Sequence, residues 1–296
     1  MLLVTGITGH SGGHFLAELE RHRFAESIRC VVRKSSNTEA LDRSPLRIEK
    51  VVHDFDVDTV DDAIMHGVSE VLHISHLSQT PNLLRAAIRQ KVERFISVHT
   101  AGIYSRFKVA AGGYRQVEDE VVDVIKGAGI GYVCLRPTMI YGDLEDKNMS
   151  VFIRMVDRLR LFPVVDGGTV LLQPVNARDL GKAYYAVLAD KTIRNGDYIL
   201  SGEAPVSMKA ILTLISDGLG KRTHFVSVPG PLAALVARLL KLATLGKVDL
   251  VEKVLRMTED RHFPHHDARR DFGYAPMPLS EGLRIEIAQY LARARG

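Results

Sequence analysis

Residues 2–19 read LLVTGITGHSGGHFLAEL, and this stretch restricts the fold more tightly than any other in the chain. The apolar run ending at Thr5 has strand character, and Phe15, Leu16 and Leu19 fall on one face of the helical pattern that starts near Gly12. Between them Gly6, Gly9 and Gly12 recur in three-residue steps. A strand that turns into a helix over glycines makes a pocket for an anion. The first glycine permits the tight turn, the second lets the backbone approach a pyrophosphate, and the third lets helix and strand pack closely. Amides at the helix start, those of His10 and Ser11, then point at the anion with the helix dipole behind them. Gly6, Thr8, Gly9, His10, Ser11 and Gly12 are the candidate cradle for a dinucleotide.

The rest of the first half repeats the strand–helix alternation. Apolar runs at 2–4, 28–32, 47–52, 70–75, 94–98 and 131–136 read as strands, and segments 12–22, 59–66, 81–91 and 114–128 as helices. Such alternation implies right-handed crossovers and a parallel sheet covered on both faces, hence runs that are apolar almost throughout. After Gly142 the pattern loosens. Helices are expected at 149–161, 177–189, 207–218, 231–245, 249–258 and 280–294, with short strands at 170–172, 197–200 and 223–227. The expected fold is α/β: a doubly wound parallel-sheet domain over residues 1–142, and a smaller mixed α/β region over 143–296 interleaved with it.

Composition excludes several classes. The 296 residues are 46% hydrophobic and 25% charged, which suits a globular protein with a large core. A net charge of +4 with no basic block interleaved with aromatics argues against nucleic acid as a partner. Cys30 and Cys134 each sit in an apolar run, so two buried free thiols and a cytoplasmic location are expected. No leader peptide is expected ahead of the first strand. Residues 231–245, PLAALVARLLKLATL, are strongly apolar, with Arg238 and Lys241 as the charges. The stretch is too short to span a bilayer. It reads as a core helix or a cleft cover, or as a helix resting peripherally on a membrane surface.

The TGxxGxxG spacing resembles the short-chain dehydrogenase/reductase superfamily, in its extended and atypical branches of nucleotide-sugar epimerases, dehydratases and reductases. The resemblance extends through HDFDV (53–57), NLLRAAIRQKVERFISV (82–98), LRPTMIYG (135–142), PVNARDLGKAYYAVL (174–188) and ARRDFGYAP (268–276). It implies a Rossmann-type fold that binds a nicotinamide dinucleotide and a small-molecule substrate, a nucleotide-sugar, and it is compatible with a homodimer. It places Asp54 and Phe55 at the adenine, Ile74, Ser75 and His76 along the cofactor, and Pro137 near the nicotinamide. Members that prefer NAD carry an acidic residue after the second strand. Here Arg33, Lys34, Ser35 and Ser36 follow it, which suits the 2′-phosphate of NADP(H), with NAD(H) as the alternative.

The same resemblance implies a Ser or Thr, a Tyr, and a Lys four residues after the Tyr. Thr100 occupies the first position, and Tyr104 matches a tyrosine that is commonly structural. Tyr114, expected to open a helix, occupies the second, but position 118 is Glu. Three readings stay open. Tyr114 acts as an acid helped by Lys108 or Arg115; Glu118 is itself the acid or base; or the chain binds cofactor without turnover, as a sensor or structural protein. A reductase of a non-sugar metabolite is a further alternative. Asn148, Gln173 and Arg178 lie where extended members contact the nucleotide-sugar. No metal is expected: His262, His265, His266 and Asp267 can be drawn as ligands, but no cysteine or remote carboxylate joins them. His76 is expected to cap a helix or face solvent, and Asp179 to anchor one.

Overall fold

The aliphatic runs at 2–5, 28–32, 94–98 and 131–137 form a sheet that needs cover on both faces, and it has it. The computed structural model describes residues 1–56, 59–107, 110–245, 247 and 249–295. The strands in chain order are β1 (Leu2–Thr5), β2 (Ile28–Val32), β3 (Ile48–Val52), β4 (Glu70–His73), β5 (Arg94–Val98), β6 (Gly131–Pro137), β7 (Ile140–Tyr141), β8 (Leu161–Val165), β9 (Leu171–Leu172), β10 (Val175–Asn176), β11 (Gly196–Leu200), β12 (Val206–Ser207) and β13 (His224–Val228). The helices are α1 (His10–Arg21), α2 (Glu39–Arg43), α3 (Thr80–Arg89), α4 (Ala110–Ile125), α5 (Met149–Arg158), α6 (Ala177–Ala189), α7 (Met208–Gly218), α8 (Gly230–Ala243), α9 (Val251–Arg256), α10 (His266–Phe272) and α11 (Leu279–Arg295).

Seven strands make one sheet in the order β11-β6-β5-β4-β1-β2-β3, and every neighbouring pair is parallel. The chain order reverses between β1 and β4, so a crevice opens past the carboxyl ends of those strands. One face is covered by Phe15, Leu16 and Leu19 of α1 and by Leu180, Tyr184 and Val187 of α6. The other is covered by Leu83 and Leu84 of α3 and Val121 of α4, packed on Leu3, Val71 and Phe95. A separate core, with Tyr141, Ile153, Phe162, Ile211, Ile215 and Ile287, holds the later region together.

The two regions are not separable along the chain. β11 extends the first sheet by pairing with β6. Arg94 on β5 is buried, and its guanidinium donates to the carbonyls of Val187, Leu188, Asp190 and Ile193 at 2.7–3.1 Å, while Nε donates to Glu70 Oε1 at 2.7 Å. A strand of the first half thus closes the carboxyl end of a helix of the second half, whose last carbonyls have no intrahelical partner.

Local differences from the sequence expectation have physical causes. Only Asp62–Met65 of segment 59–66 is helical, as one 3-10 turn capped by the Asp61 side chain on Ala63 N (2.9 Å), and Gly67 at φ +74° follows it. α4 starts at Ala110, a turn before Tyr114. The pair Gly112–Gly113 reads locally as a break, but Ala111 and Val121 are buried and packing holds the turn helical. The helix expected to run to Leu161 ends at Arg158, because Leu161–Val165 pairs with β13.

Candidate functional site

A groove with a volume of about 570 Å³ lies over the switch point of the sheet. Its floor is the glycine turn. Gly6 has φ +72°, and a Cβ there would stand 2.7 Å from Ser75 N. A Cβ on Gly12 would stand 2.2 Å from Gly6 O and 2.7 Å from Ile7 Cα, so only glycine lets the turn close onto its own helix. α1 has Gly9 as its N-cap, with no side-chain cap and no acidic residue in its first turn. Its leading amides are left for an anion. Thr5, Gly6, Thr8, Gly9, His10 and Ser11 line the groove, whereas Gly12 sits behind it. Nε2 of His10 and of His53, which also lines the groove, are buried with no hydrogen-bond partner among the described residues. Burial also lowers the His10 pKa, against the opposing pull of Asp143.

The far wall comes from the turn beyond β4. Ile74, Ser75, His76 and Gln79 line the groove. Ser75 Oγ donates to Gln79 Oε1 (2.8 Å), and Gln79 Nε2 donates to Asp56 Oδ1 (2.7 Å). His76 caps a 3-10 turn, with Nδ1 accepting from Ser78 N at 3.3 Å. His73 beneath is fully buried, 2.7 Å from Thr5 Oγ1, and burial pulls its pKa down to about 3, so it stays neutral. At the other end Arg33, Ser35, Ser36 and Asn37 line the groove opposite His53, Asp54, Phe55 and Asp56. Lys34 is exposed and does not line it, and Pro137 lies within β6, away from the wall. Lys147 and Asp146, which no sequence motif marked, close the groove from the loop after β7.

A second cavity of about 480 Å³ adjoins the first, and the two share Ile140 and Asn148. Thr100 and Tyr104 line it together with Arg256, Arg261, Glu259 and Phe263. Thr100 Oγ1 accepts from Gly102 N (2.9 Å), which fixes the 3-10 turn Ala101–Tyr104. The Tyr104 ring lies 5.4 Å from that of Phe263, and the Arg136 guanidinium is 5.9 Å from its centroid. Burial raises the Tyr104 pKa, and Arg136 opposes the rise. Burial lowers the Arg261 pKa to about 10, with help from Arg256 and against Glu259. Nε of Arg256 and of Arg261 have no hydrogen-bond partner among the described residues. Sequence reasoning missed this arginine pair, because nothing local in RMTEDRHF marks it as lining the same cavity as Thr100.

The other catalytic candidates lie elsewhere. Tyr114 lines neither cavity; its ring packs edge-on against His76, 6.5 Å between centroids. Glu118 faces inward to a charge network. Arg136 Nη2 donates to Glu118 Oε2 (2.9 Å) and Nη1 to Oε1, while Arg136 also pairs with Asp197 at 2.6 and 2.8 Å. His99 Nδ1 lies 3.1 Å from Glu118 Oε1. Burial would raise the Glu118 pKa, but hydrogen bonds with His99 and Arg136 outweigh it and hold the carboxylate ionised. Arg115 donates to Ile103 O (3.1 Å), and Lys108 lies outside the described residues.

Of the residues expected to face substrate, Asn148 alone reaches a cavity wall, holding Ile140 O through Nδ2 (3.1 Å). Gln173 is buried between Gly202 O and Phe263 N, and Arg178 pairs with Asp143. His265 is buried 2.8 Å from Ser201 Oγ, a core contact. His10, His14 and Asp143 bring ligand atoms within 4.8 Å of one another, but His14, Arg178 and Gln289 already engage Asp143.

Comparison with known proteins agrees with this geometry. The family model described as NAD(P)H-binding matches residues 6–157. No curated protein matches the chain. Among solved structures, a UDP-glucuronic acid 4-epimerase from Bacillus cereus, in complex with UDP-glucuronic acid and NAD, is 17% identical with a TM-score of 0.76 over 99% of each chain. The dTDP-glucose 4,6-dehydratase DesIV from Streptomyces venezuelae is 17% identical, with a TM-score of 0.75 over 99% of this chain and 98% of its own. The protein gox2253 is 19% identical, with a TM-score of 0.76 over 100% and 99%. These likenesses show that the Rossmann-type fold runs the length of the chain. With the glycine cradle, the switch-point groove and the matched segment together, the chain belongs to the NAD(P)H-binding family.

Proposed function

We propose that the protein is an NADP(H)-dependent oxidoreductase or epimerase acting on a nucleotide-sugar. The observation that carries this reading is the junction of the two cavities at Ile140 and Asn148: the cradle opens directly onto a chamber lined by Thr100, Tyr104 and two arginines. The residues of the groove fit a dinucleotide, since the α1 amides are uncapped and Gly6 and Gly12 bring backbone close. Arg33, Ser35 and Ser36, with no carboxylate from Arg33 to Asn37, favour a 2′-phosphate. When bound, the dinucleotide supplies a hydride donor or acceptor.

The chain's own groups do the rest. Arg256 and Arg261 would receive the diphosphate of the substrate. Thr100 and Tyr104 would hold the reacting oxygen, and Tyr104, kept protonated by burial, is suited to give a proton as the oxygen gains charge. Arg136 supplies a cation behind the Tyr104 ring, a task that a lysine at 118 would otherwise perform beside Tyr114. A second reading, cofactor binding without turnover, is favoured by one observation: the position of that lysine is a carboxylate locked to Arg136.

Nicotinamide fluorescence on titration with NADPH and NADH, followed by turnover on UDP- and dTDP-linked sugars, tests both. Loss of turnover by about 100-fold or more in Tyr104→Phe, with Tyr114→Phe near wild type, supports the first reading. Tight NADPH binding with no turnover on any sugar supports the second. Binding of neither dinucleotide sinks both.

A further inference from the structure

We infer that the α8–α9 hairpin is a docking element for an anionic membrane surface. In α8 the usual distribution of side chains is inverted. Ala237 is buried and Ala233 and Ala234 are half-buried, so the inner face is made of small residues. Leu232, Leu235, Val236, Leu239 and Leu242 are all exposed, Leu242 at 72%, and Leu245 just beyond the helix at 91%. At 100° per residue the five within α8 lie together on the outer face, with Arg238 at its edge. An outward row of large aliphatic side chains is unfavourable in water and marks a surface that meets something apolar.

Charge decides what that is. Among the described residues of this segment Arg238, Lys247 and Lys253 are exposed cations, whereas Lys241 pairs with Asp249, and Arg256, beside Glu252, belongs to the second cavity. Pairing with a second copy would bring two such net-positive segments together. An anionic bilayer offers the opposite sign and an apolar layer at the depth of the leucines, with the long basic stems reaching back to headgroups. No helix among the described residues is long and apolar enough to cross a membrane, so the element lies in the surface. The body holds the hairpin at both ends: Gly230 N donates to Asp166 Oδ1 (2.8 Å), and beyond α9 Glu259 accepts from Ser105 Oγ (2.6 Å) and Arg106 N (2.7 Å). α9 also supplies Arg256 to the second cavity, so the docking element and that chamber share a helix.

The test is co-sedimentation of the full chain with phosphatidylcholine vesicles, with and without phosphatidylserine. Binding to the anionic vesicles, weakened by salt and by about fivefold for each cation removed in Lys247→Gln and Lys253→Gln, is expected. Leu235→Asp/Leu239→Asp should abolish binding while its melting curve and dinucleotide titration stay those of wild type. Both substituted positions are exposed, so unchanged melting shows the loss is local. Equal binding of the leucine variant, binding indifferent to phosphatidylserine, or no binding by the wild type would overturn the inference. So would a concentration-dependent dimer in light scattering that the leucine variant dissolves, because the face would then be covered by a second copy.

Discussion

Replacing Glu118 separates a displaced catalytic cation from a structural charge network. Its side chain is 17% exposed, that of Arg136 8%, and that of Asp197 53%. Glu118→Gln keeps the shape and removes the charge, turning one oxygen facing the guanidinium into an amide donor. Removing one partner of a buried pair costs about 3–5 kcal/mol, and the lower end applies because Asp197 still holds Arg136. At about 2 °C per kcal/mol for a chain of this size, the melting temperature should fall by about 6 °C. Glu118→Lys, which puts a lysine where the sequence resemblance implies one, adds a like charge. At about 4 Å and an effective dielectric of about 20 the repulsion is about 4 kcal/mol, for a total near 7 kcal/mol. The pH dependence has a definite sign. The folded carboxyl titrates below its unfolded value, so its stabilisation is present above the ordinary carboxylate range and lost as pH falls through the folded value. Circular-dichroism melts from neutral to acid pH should show wild type converging on Glu118→Gln. If Glu118→Lys melts with the wild type, or gains turnover, the network does not hold this region and the reasoning fails.

Gly12→Ala should lose dinucleotide binding in fluorescence titration and about 1–3 kcal/mol of stability, since its Cβ would lie 2.2 Å from Gly6 O. Glu286, fully buried with Oε1 on Leu144 N, has its pKa raised to about 9 by burial and then by Asp146. The folded state holds a proton that the unfolded chain releases, so this group's contribution falls as pH rises from about 5 to 9, and Glu286→Gln should raise the melting temperature more at pH 8 than at pH 5. Arg256→Ala and Arg261→Ala should weaken binding of a nucleotide-sugar about tenfold or more each in calorimetry, leaving NADPH affinity unchanged, because both line the second cavity and not the groove.

The sheet and the cradle are legible in the sequence because their causes are local. Apolar runs, three glycines and a helical face lie within a few residues of one another, and the sheet built from them is parallel throughout, as expected. What was not legible depends on residues far apart. Arg136 gives no sign in LRPTMIYG that its partners are Glu118 and Asp197. Arg256 and Arg261 meet the cavity of Thr100 only because the chain returns there at the end of α9 and just beyond it. Tyr114 has the spacing of a reacting group, and its ring stands edge-on to His76, a contact that no local pattern announces. Short elements such as α2, β7 and α10 escaped because a few residues carry too little periodicity to count.

The closure of Arg94 on the end of α6 gives the fold a schedule. Ninety-three residues separate Arg94 from Val187, the first of its carbonyl partners. At about 5–20 residues per second, a ribosome makes that span in roughly 5–20 s. Until residues 187–200 exist, the carbonyl partners of the guanidinium and the strand that covers the β6 edge are missing. The amino-terminal half therefore cannot complete its own sheet or satisfy its own arginine: the end of α6 and β11, both from the second half of the chain, supply what it lacks.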